Sequence, residues 1–430
     1  MRLIRLLKQD LAKEVDDWLA DDLIDESQRD RILARYGITP GESQPLGYTM
    51  LMGLGMLFVG LALITLIGAN WQDIPRYVRT LGLISLTTAT HLSGWFYLKR
   101  GDESKALGLI FLGNLFYGAS IILIAQIFHL GEHMPDGVYF WALGCLPMAL
   151  LTGSRLIALQ MLALAFIWLF MEANLGFLPV TFPLFLAAAL YVLSVRASVT
   201  LFLAVVSGTF LWLEYLAAWF WSTGWRLSFS EEHLVLTASL FALAYSAAHW
   251  LIQRQEVALQ DYGAILAAWC LRFVLVLMLV LSFAPPWEEL LRADWYHWSS
   301  LLIISTLIWA AALYLGYQAK HYGSLLAFAA LLILSAAGLA LLNGAVHAPL
   351  FQATYNLVII GLGIWLIIQG VQQRIGHYFW SGIVAILAVA LFRYFDLIGS
   401  YIGGSLLFLT IAGILLGAAR YWRALEHGNE

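Results

Sequence analysis

Long apolar stretches alternate with short polar ones along almost the whole chain. The stretch LGMLFVGLALITLIG at 54–68 is typical. Because about 20 apolar residues in a helix cross a hydrocarbon layer of about 30 Å, the pattern predicts an all-α integral membrane protein with about 14 transmembrane helices. The predicted spans are 48–68, 78–98, 106–128, 138–153, 156–172, 178–195, 198–220, 234–253, 263–284, 299–317, 324–343, 352–369, 377–395 and 400–419. The short span at 138–153 leaves the count in 138–172 open.

Composition points to the same class. Hydrophobic residues make up 61% of the chain and charged residues 12%, whereas soluble domains carry about 25% charged residues. The charged segment 1–46 lacks the apolar core of a cleavable signal peptide. Cys145 and Cys270 lie in apolar runs, so we expect buried packing residues rather than a disulfide. No basic stripe suggests a nucleic-acid partner.

The loop charges orient the helices, since Lys and Arg accumulate in cytoplasmic loops. With the N-terminus inside, most of the 23 Lys and Arg residues fall on the cytoplasmic side. The exceptions outside are Arg76, Arg79, Arg226 and Arg292. We therefore expect a multi-pass protein of a bacterial cytoplasmic (inner) membrane, with both termini in the cytoplasm and membrane lipids as neighbours.

Residues 1–46 predict a cytoplasmic helical hairpin and a linker. Apolar residues three or four apart in 2–20 mark one helical stripe. A second helix is expected from Asp25, with Gln28 completing a capping box and Gly37 ending the helix. The hairpin either lies on the membrane or the cytoplasmic ends of the spans, or it docks a partner membrane protein.

Polar residues inside apolar runs form a candidate intramembrane path, since buried charges in a bilayer need a partner or a role. The candidates are His91, Glu214, Arg272 and Asp396, with Arg393 beside the last. Glu214 and Arg272 either form an ion pair, line a polar cavity or reach an interface. Arg393 and Asp396 are three residues apart and can satisfy each other. His91 is either a packing residue or part of a relay.

Two loops predicted on the outer face concentrate the remaining polarity. They read GANWQDIPRYVR at 68–79 and QIFHLGEHMPDGVYFW at 126–141. Arg76 and Arg79 share one helical face, which suits the binding of an anion by paired donors. His129 and Asp136 would shape the same pocket, and Arg393 is a candidate third donor. Alternatively, the two arginines pair only with lipid phosphates or nearby aspartates.

The second loop also contains the pattern H-x-x-E-H, in His129, Glu132 and His133. Inverted zinc peptidases carry this pattern on one helical face. Here Gly131 interrupts it and Pro135 follows at once, where a helix would be ending. We therefore expect no metal and no cofactor at this site.

The segments ANWQDIPRYVR and AQIFHLGEHMPDGVYFWALGCLP together resemble the bacterial predicted membrane proteins grouped as domain of unknown function 2157 (DUF2157). The resemblance covers about residues 10–150, and the end of the chain is weakly similar. It implies a polytopic inner-membrane protein without assigned biochemistry. The family-motif positions are Asn70, Trp71, Pro75, Arg76, Arg79, Gln126, His129, Pro135, Asp136 and Gly137. Glu132 and His133 depart from the motif.

Four regions follow from these patterns. They are the hairpin and linker at 1–46, a family-like region at 47–153 with outer loops 69–77 and 129–137, a middle region at 154–376, and a C-terminal region at 377–430. The first functional hypothesis is a transporter or flippase-like protein for a small anionic or lipid-linked substrate. Its candidate ligand-binding residues are Arg76, Arg79, His129, Asp136, Arg393, Asn70, Trp71 and Gln126. The alternatives are a non-catalytic scaffold or accessory subunit and an intramembrane metal-dependent hydrolase, so an enzymatic role stays open.

Overall fold

The fold is helical throughout the part of the chain that the computed structural model describes. The described residues are 15–16, 18–21, 23–35, 46–69, 75–131, 133–222, 227–342, 344–396, 409 and 412–413. The chain divides into two compact units, Met1–Ser228 and Phe229–Glu430. This boundary falls inside the region 154–376, which the sequence pattern treats as one.

The helices of the first unit follow one another with short connections. They are α1 (Glu26–Arg35), α2 (Leu46–Ala69), α3 (Arg76–Lys99), α4 (Glu103–Phe128), α5 (Met134–Thr152), α6 (Arg155–Asn174), α7 (Phe182–Val195) and α8 (Val199–Phe220).

The second unit contains the remaining described helices and one 3₁₀ turn, Ala345–His347. The helices are α9 (Glu232–Ile252), α10 (Val257–Val280), α11 (Ala284–Arg292), α12 (Trp298–Gln318), α13 (Gly323–Leu341), α14 (Ala348–Gln372) and α15 (Gly376–Asp396).

These helices confirm the predicted fold class. Among the described residues, 10 helices are long and apolar enough to cross a membrane, and α7 is a shorter apolar helix. The predicted spans from 48–68 to 377–395 each coincide with one helix. The predicted span 400–419 lies outside the described residues except for 409 and 412–413. The count of fourteen therefore stays a prediction.

The predicted capping box begins α1. The backbone N–H of Gln28 donates to Asp25 Oδ1 at 2.7 Å, and the backbone N–H of Asp25 donates to Gln28 Oε1 at 2.9 Å. Arg29 Nε pairs with Asp16 Oδ1 at 2.7 Å and ties the helix to the preceding segment. The predicted helix 2–20 is described only at 15–16 and 18–20, which are helical, and Gly37 lies outside the described residues.

Glycines let neighbouring helices of the first unit approach closely, as small residues do in membrane bundles. A Cβ added to Gly118 of α4 would lie 2.1 Å from the Trp141 ring of α5. A Cβ added to Gly144 of α5 would lie 2.1 Å from the Tyr117 ring of α4. Each helix thus fits an aromatic ring against a glycine of the other. Cys145 is a free, buried thiol in this packing, as the sequence predicted.

In the second unit, α9 packs mainly against α10 and α12. Trp309 Nε1 of α12 donates to Ser239 Oγ of α9 at 3.2 Å. The short helix α11 was not predicted as a separate element. Its Trp287 is buried, stacks on Phe351 with ring centroids 4.6 Å apart and donates to the Leu281 carbonyl. Cys270 is also free and buried, as expected.

Candidate functional site

The helices α3 and α4 form an antiparallel hairpin that collects several predicted site residues at one end. The His91 ring of α3 contacts Gly113 of α4, whereas Gly94 of α3 faces Ala106 and Ile110. This register places the start of α3 beside the end of α4. Arg76 and Arg79 therefore lie at the same end of the hairpin as Gln126 and His129. We call this the His129 end.

The side chains at the His129 end differ in exposure. Arg76, Gln126 and His129 are exposed, and Arg79 is half-buried. His129 follows α4 in the left-handed conformation, with φ 52°, and its backbone N–H donates to the Ala125 carbonyl. His129 therefore projects from a loop rather than from the helix.

The described residues of 129–133 are not helical and lie between two helices. His133 has extended backbone and immediately precedes α5, and Pro135 lies in the first turn of that helix. His129 and His133 therefore cannot share a helical face, as the inverted zinc-peptidase pattern requires. Glu132 lies outside the described residues. The prediction that a helix would be ending at Pro135 is wrong, because the helix begins there.

His133 instead belongs to a cluster with residues of α5 and α6. His133 Nε2 lies 3.0 Å from Glu172 Oε1, in the last turn of α6. The indole Nε1 of Trp168 donates to the same oxygen at 3.1 Å. Glu172 is buried, with 8% of its surface exposed. The buried Glu172 carboxylate is therefore held by two donors, His133 just before α5 and Trp168 of its own helix.

Asp136 completes a set of three potential metal ligands. One donor atom each from His133, Asp136 and Glu172 lies within 4.8 Å of the other two. A zinc ion bound at about 2.0–2.2 Å draws such atoms somewhat closer together. Asp136 is exposed, which gives a hydrated ion access to the group. The arrangement can hold a divalent cation, and the His133–Glu172 pair alone also satisfies both side chains.

A second polar group shares only α6 with this cluster. His91 Nε2 lies 3.1 Å from Asn114 Oδ1, and Asn114 Nδ2 donates to Gln160 Oε1 at 2.8 Å. The chain ends on backbone carbonyls, at Thr87 beside His91 Nδ1 (2.9 Å) and at Phe111 beside Gln160 Nε2 (3.2 Å). It joins α3, α4 and α6. His91 is twelve residues from Arg79, or about 18 Å along the helix.

Both polar groups include residues of the segment 16–158. Residues 16–158 match the family model DUF2157, predicted membrane protein. No curated protein and no solved structure matches the chain. The DUF2157 region contains His91, Asn114, His133 and Asp136, whereas Gln160 and Glu172 follow its end. Each polar group is thus completed by a residue of α6 beyond the DUF2157 region.

The other predicted path residues lie on other helices of the described structure. Glu214 is half-buried in α8 of the first unit. Arg272 is exposed in the second unit, with its Cζ atom 5.1 Å from the Trp269 ring centroid. Arg393, also in the second unit, is half-buried with Cζ 4.8 Å from the Phe283 ring centroid. Asn70, Trp71 and the side chain of Asp396 lie outside the described part.

Outside the DUF2157 region, the second unit holds a histidine pair. The rings of His249 and His321 stack with centroids 3.9 Å apart and planes 10° apart. The Tyr245 hydroxyl lies 2.9 Å from His321 Nε2 and 2.9 Å from Ser324 Oγ. Partial burial lowers the pKa of His321, which lies between α12 and α13.

Sequence reasoning missed Asn114, Gln160 and Glu172. The first two are uncharged amides, whereas the predicted polar path rests on charged residues and histidine inside apolar runs. Glu172 ends the apolar run FIWLFME and was assigned to a span boundary. Its position as the one acidic residue of α6 was a usable signal, because such residues in spans require partners.

Proposed function

We propose that this membrane protein moves a small anionic solute, or the anionic group of a lipid-linked one, through its first unit. The observation that carries the proposal is the hydrogen-bonded chain His91–Asn114–Gln160, which begins on α3, the helix that bears Arg76 and Arg79. Polar side chains in a bilayer are costly, and they mark substrate and ion paths in membrane proteins. The two arginines and His91, at the start of this chain, thus lie on one helix.

The His129 end suits the first contact with an anion. Arginine presents a planar fork of N–H donors that matches carboxylate and phosphate groups. Arg76 is exposed and is available to an incoming solute, while Arg79 lies half-buried one turn deeper. His129 adds an exposed ring nitrogen at the same end. The loop charges predict that this end faces away from the cytoplasm.

The decisive experiment is native mass spectrometry of the gently extracted full chain. We compare the wild type with Arg76→Ala/Arg79→Ala and with Arg155→Ala. The second variant removes an exposed arginine at the first position of α6, at the end of that helix opposite Glu172. A discrete anionic adduct on the wild type and on Arg155→Ala, absent from the double variant, supports the proposal. Equal occupancy in all three proteins contradicts it.

Transport is then measured separately from binding. The wild type and the double variant are reconstituted in vesicles that contain head-group-labelled phosphatidylglycerol, and its movement between leaflets is followed. Movement that falls at least tenfold in the double variant supports a flippase. A lipid that binds at Arg76 and Arg79 but does not move shows that the arginines only anchor the helix ends. A bound protein subunit without a small ligand favours the scaffold alternative.

A further inference from the structure

The hydrogen-bonded chain through His91 begins and ends on groups that can only accept. The Thr87 carbonyl faces His91 Nδ1, and the Phe111 carbonyl faces Gln160 Nε2. Backbone carbonyls carry no proton, so each end of the chain must be met by a donor. The direction of every link between them is fixed by this condition.

The direction can be followed link by link from Phe111. Gln160 must turn its NH₂ group to the Phe111 carbonyl, so its oxygen faces Asn114. Asn114 then donates through Nδ2 and turns its own oxygen to His91 Nε2. His91 must therefore donate through Nε2. At its other nitrogen it must also donate, to Thr87.

A neutral imidazole carries one N–H, so it can make only one of these two bonds as a donor. All four links are made together only when both ring nitrogens are protonated. We propose that His91 is a proton-binding site within the membrane, held as an imidazolium by the Asn114–Gln160 relay. The binding of a proton at His91 does not depend on transport. A role of this proton in coupling rests on the proposed transport function.

The surroundings keep the relay in place. Asn114 is 1% exposed and Gln160 is 8% exposed, so water cannot replace the missing donor easily. The His91 ring lies against Gly113, where an added Cβ would be 2.8 Å from Cε1. Trp141 Nε1 donates to the Asn114 backbone carbonyl at 2.7 Å and fixes that turn of α4.

The groups that meet the ring nitrogens are the Thr87 carbonyl and the Asn114 amide, so dipoles rather than a carboxylate balance the positive charge among the described residues. The titratable residues on the packed helices α4, α5 and α6 are Glu103, Lys105, Tyr117, Asp136, Tyr139, Cys145, Arg155 and Glu172. The charged ones on α4 and α6 lie at least five residues along the helix from Asn114 or Gln160. Tyr117 is one turn from Asn114 and packs against Gly144.

The test is nitrogen NMR of the full chain, labelled with ¹⁵N-histidine, in lipid bilayers at pH 7. The His91 signals are identified by their loss in His91→Gln. We expect two protonated ring nitrogens in the wild type. Gln160→Met removes the constraint at Phe111, so Asn114 can turn and donate to a neutral ring. The ratio of imidazolium to neutral His91 should then fall at least tenfold.

Two further variants keep the test decisive. Ser120→Ala removes a hydroxyl near Thr87 but none of the four links, so the ratio should stay unchanged. Gln160→Glu preserves shape and should keep His91 protonated, either through a neutral acid that donates to Phe111 or through its charge. One unprotonated ring nitrogen in the wild type, or an unchanged ratio in a folded Gln160→Met, overturns the proposal.

The NMR result does not depend on solute movement. A protonated His91 in a protein that moves no anion would retain the site and reject the transport function. A neutral His91 in a protein that transports would reject the site alone.

Discussion

Glu172 Oε1 lies 3.0 Å from His133 Nε2 and joins the last turn of α6 to the beginning of α5. Trp168 donates to the same oxygen, so Glu172→Ala leaves two donors without an acceptor. We expect this change to lower the free energy of unfolding by about 1–3 kcal/mol, towards the lower end because the His133 side chain is partly exposed. Thermal unfolding in lipid nanodiscs measures the loss. Glu172→Gln keeps an acceptor oxygen and should lose less, and equal losses would contradict the explanation.

The same cluster predicts an effect of divalent cations. Zn²⁺ that binds His133, Asp136 and Glu172 in the folded state should raise the melting temperature of the wild type, because ligands that bind only the folded state stabilise it. Glu172→Ala should abolish the rise. Exposed carboxylates elsewhere also bind Zn²⁺ weakly, so Asp294→Asn serves as the control. A rise of the same size in Glu172→Ala would place the ion elsewhere.

Two glycines of α14 should respond in opposite ways to alanine. A Cβ on Gly363 would lie 2.7 Å from Ile386 Cγ1 and 3.1 Å from the Gly382 carbonyl oxygen of α15. Such overpacking typically costs about 1–3 kcal/mol. Gly361 has no such neighbour within 4 Å, so Gly361→Ala should be neutral or slightly stabilising. Unfolding of both variants in nanodiscs gives the comparison, and similar stabilities would show that α14 and α15 separate readily.

Acid should weaken the second unit through His321. Because burial lowers the pKa of His321 in the folded protein below its ordinary value of 6.5, the folded state takes up fewer protons than the unfolded state just below that pH. Stability should therefore fall as pH decreases from 6.5 towards the lowered pKa. His321→Asn should reduce this pH dependence of the melting temperature. An unchanged slope in His321→Asn would contradict this origin.

The sequence predicted the helices well because membrane helices are defined by long apolar runs. The predicted span 48–68 corresponds to the helix Leu46–Ala69. The predicted span 198–220 corresponds to the helix Val199–Phe220, which begins one residue later. Helices that are apolar on all sides do not indicate which face meets a neighbour. The pairing of His133 with Glu172, and of Asn114 with Gln160, therefore required the packing of α5 and α6. The short amphipathic helix α11 is not predicted for a different reason, because Pro285 and Pro286 suggest a loop.

The pairing of α9 with α12 has a consequence for biosynthesis. In the first unit, α3 packs with α4 and α5 with α6, so each helix meets its main neighbour as soon as that neighbour is made. Ser239 and Trp309 are 70 residues apart in the chain. At a synthesis rate of about 5–20 residues per second, Trp309 is made roughly 4–14 s after Ser239. During that interval the serine-bearing face of α9 needs another partner, which the insertion machinery would supply.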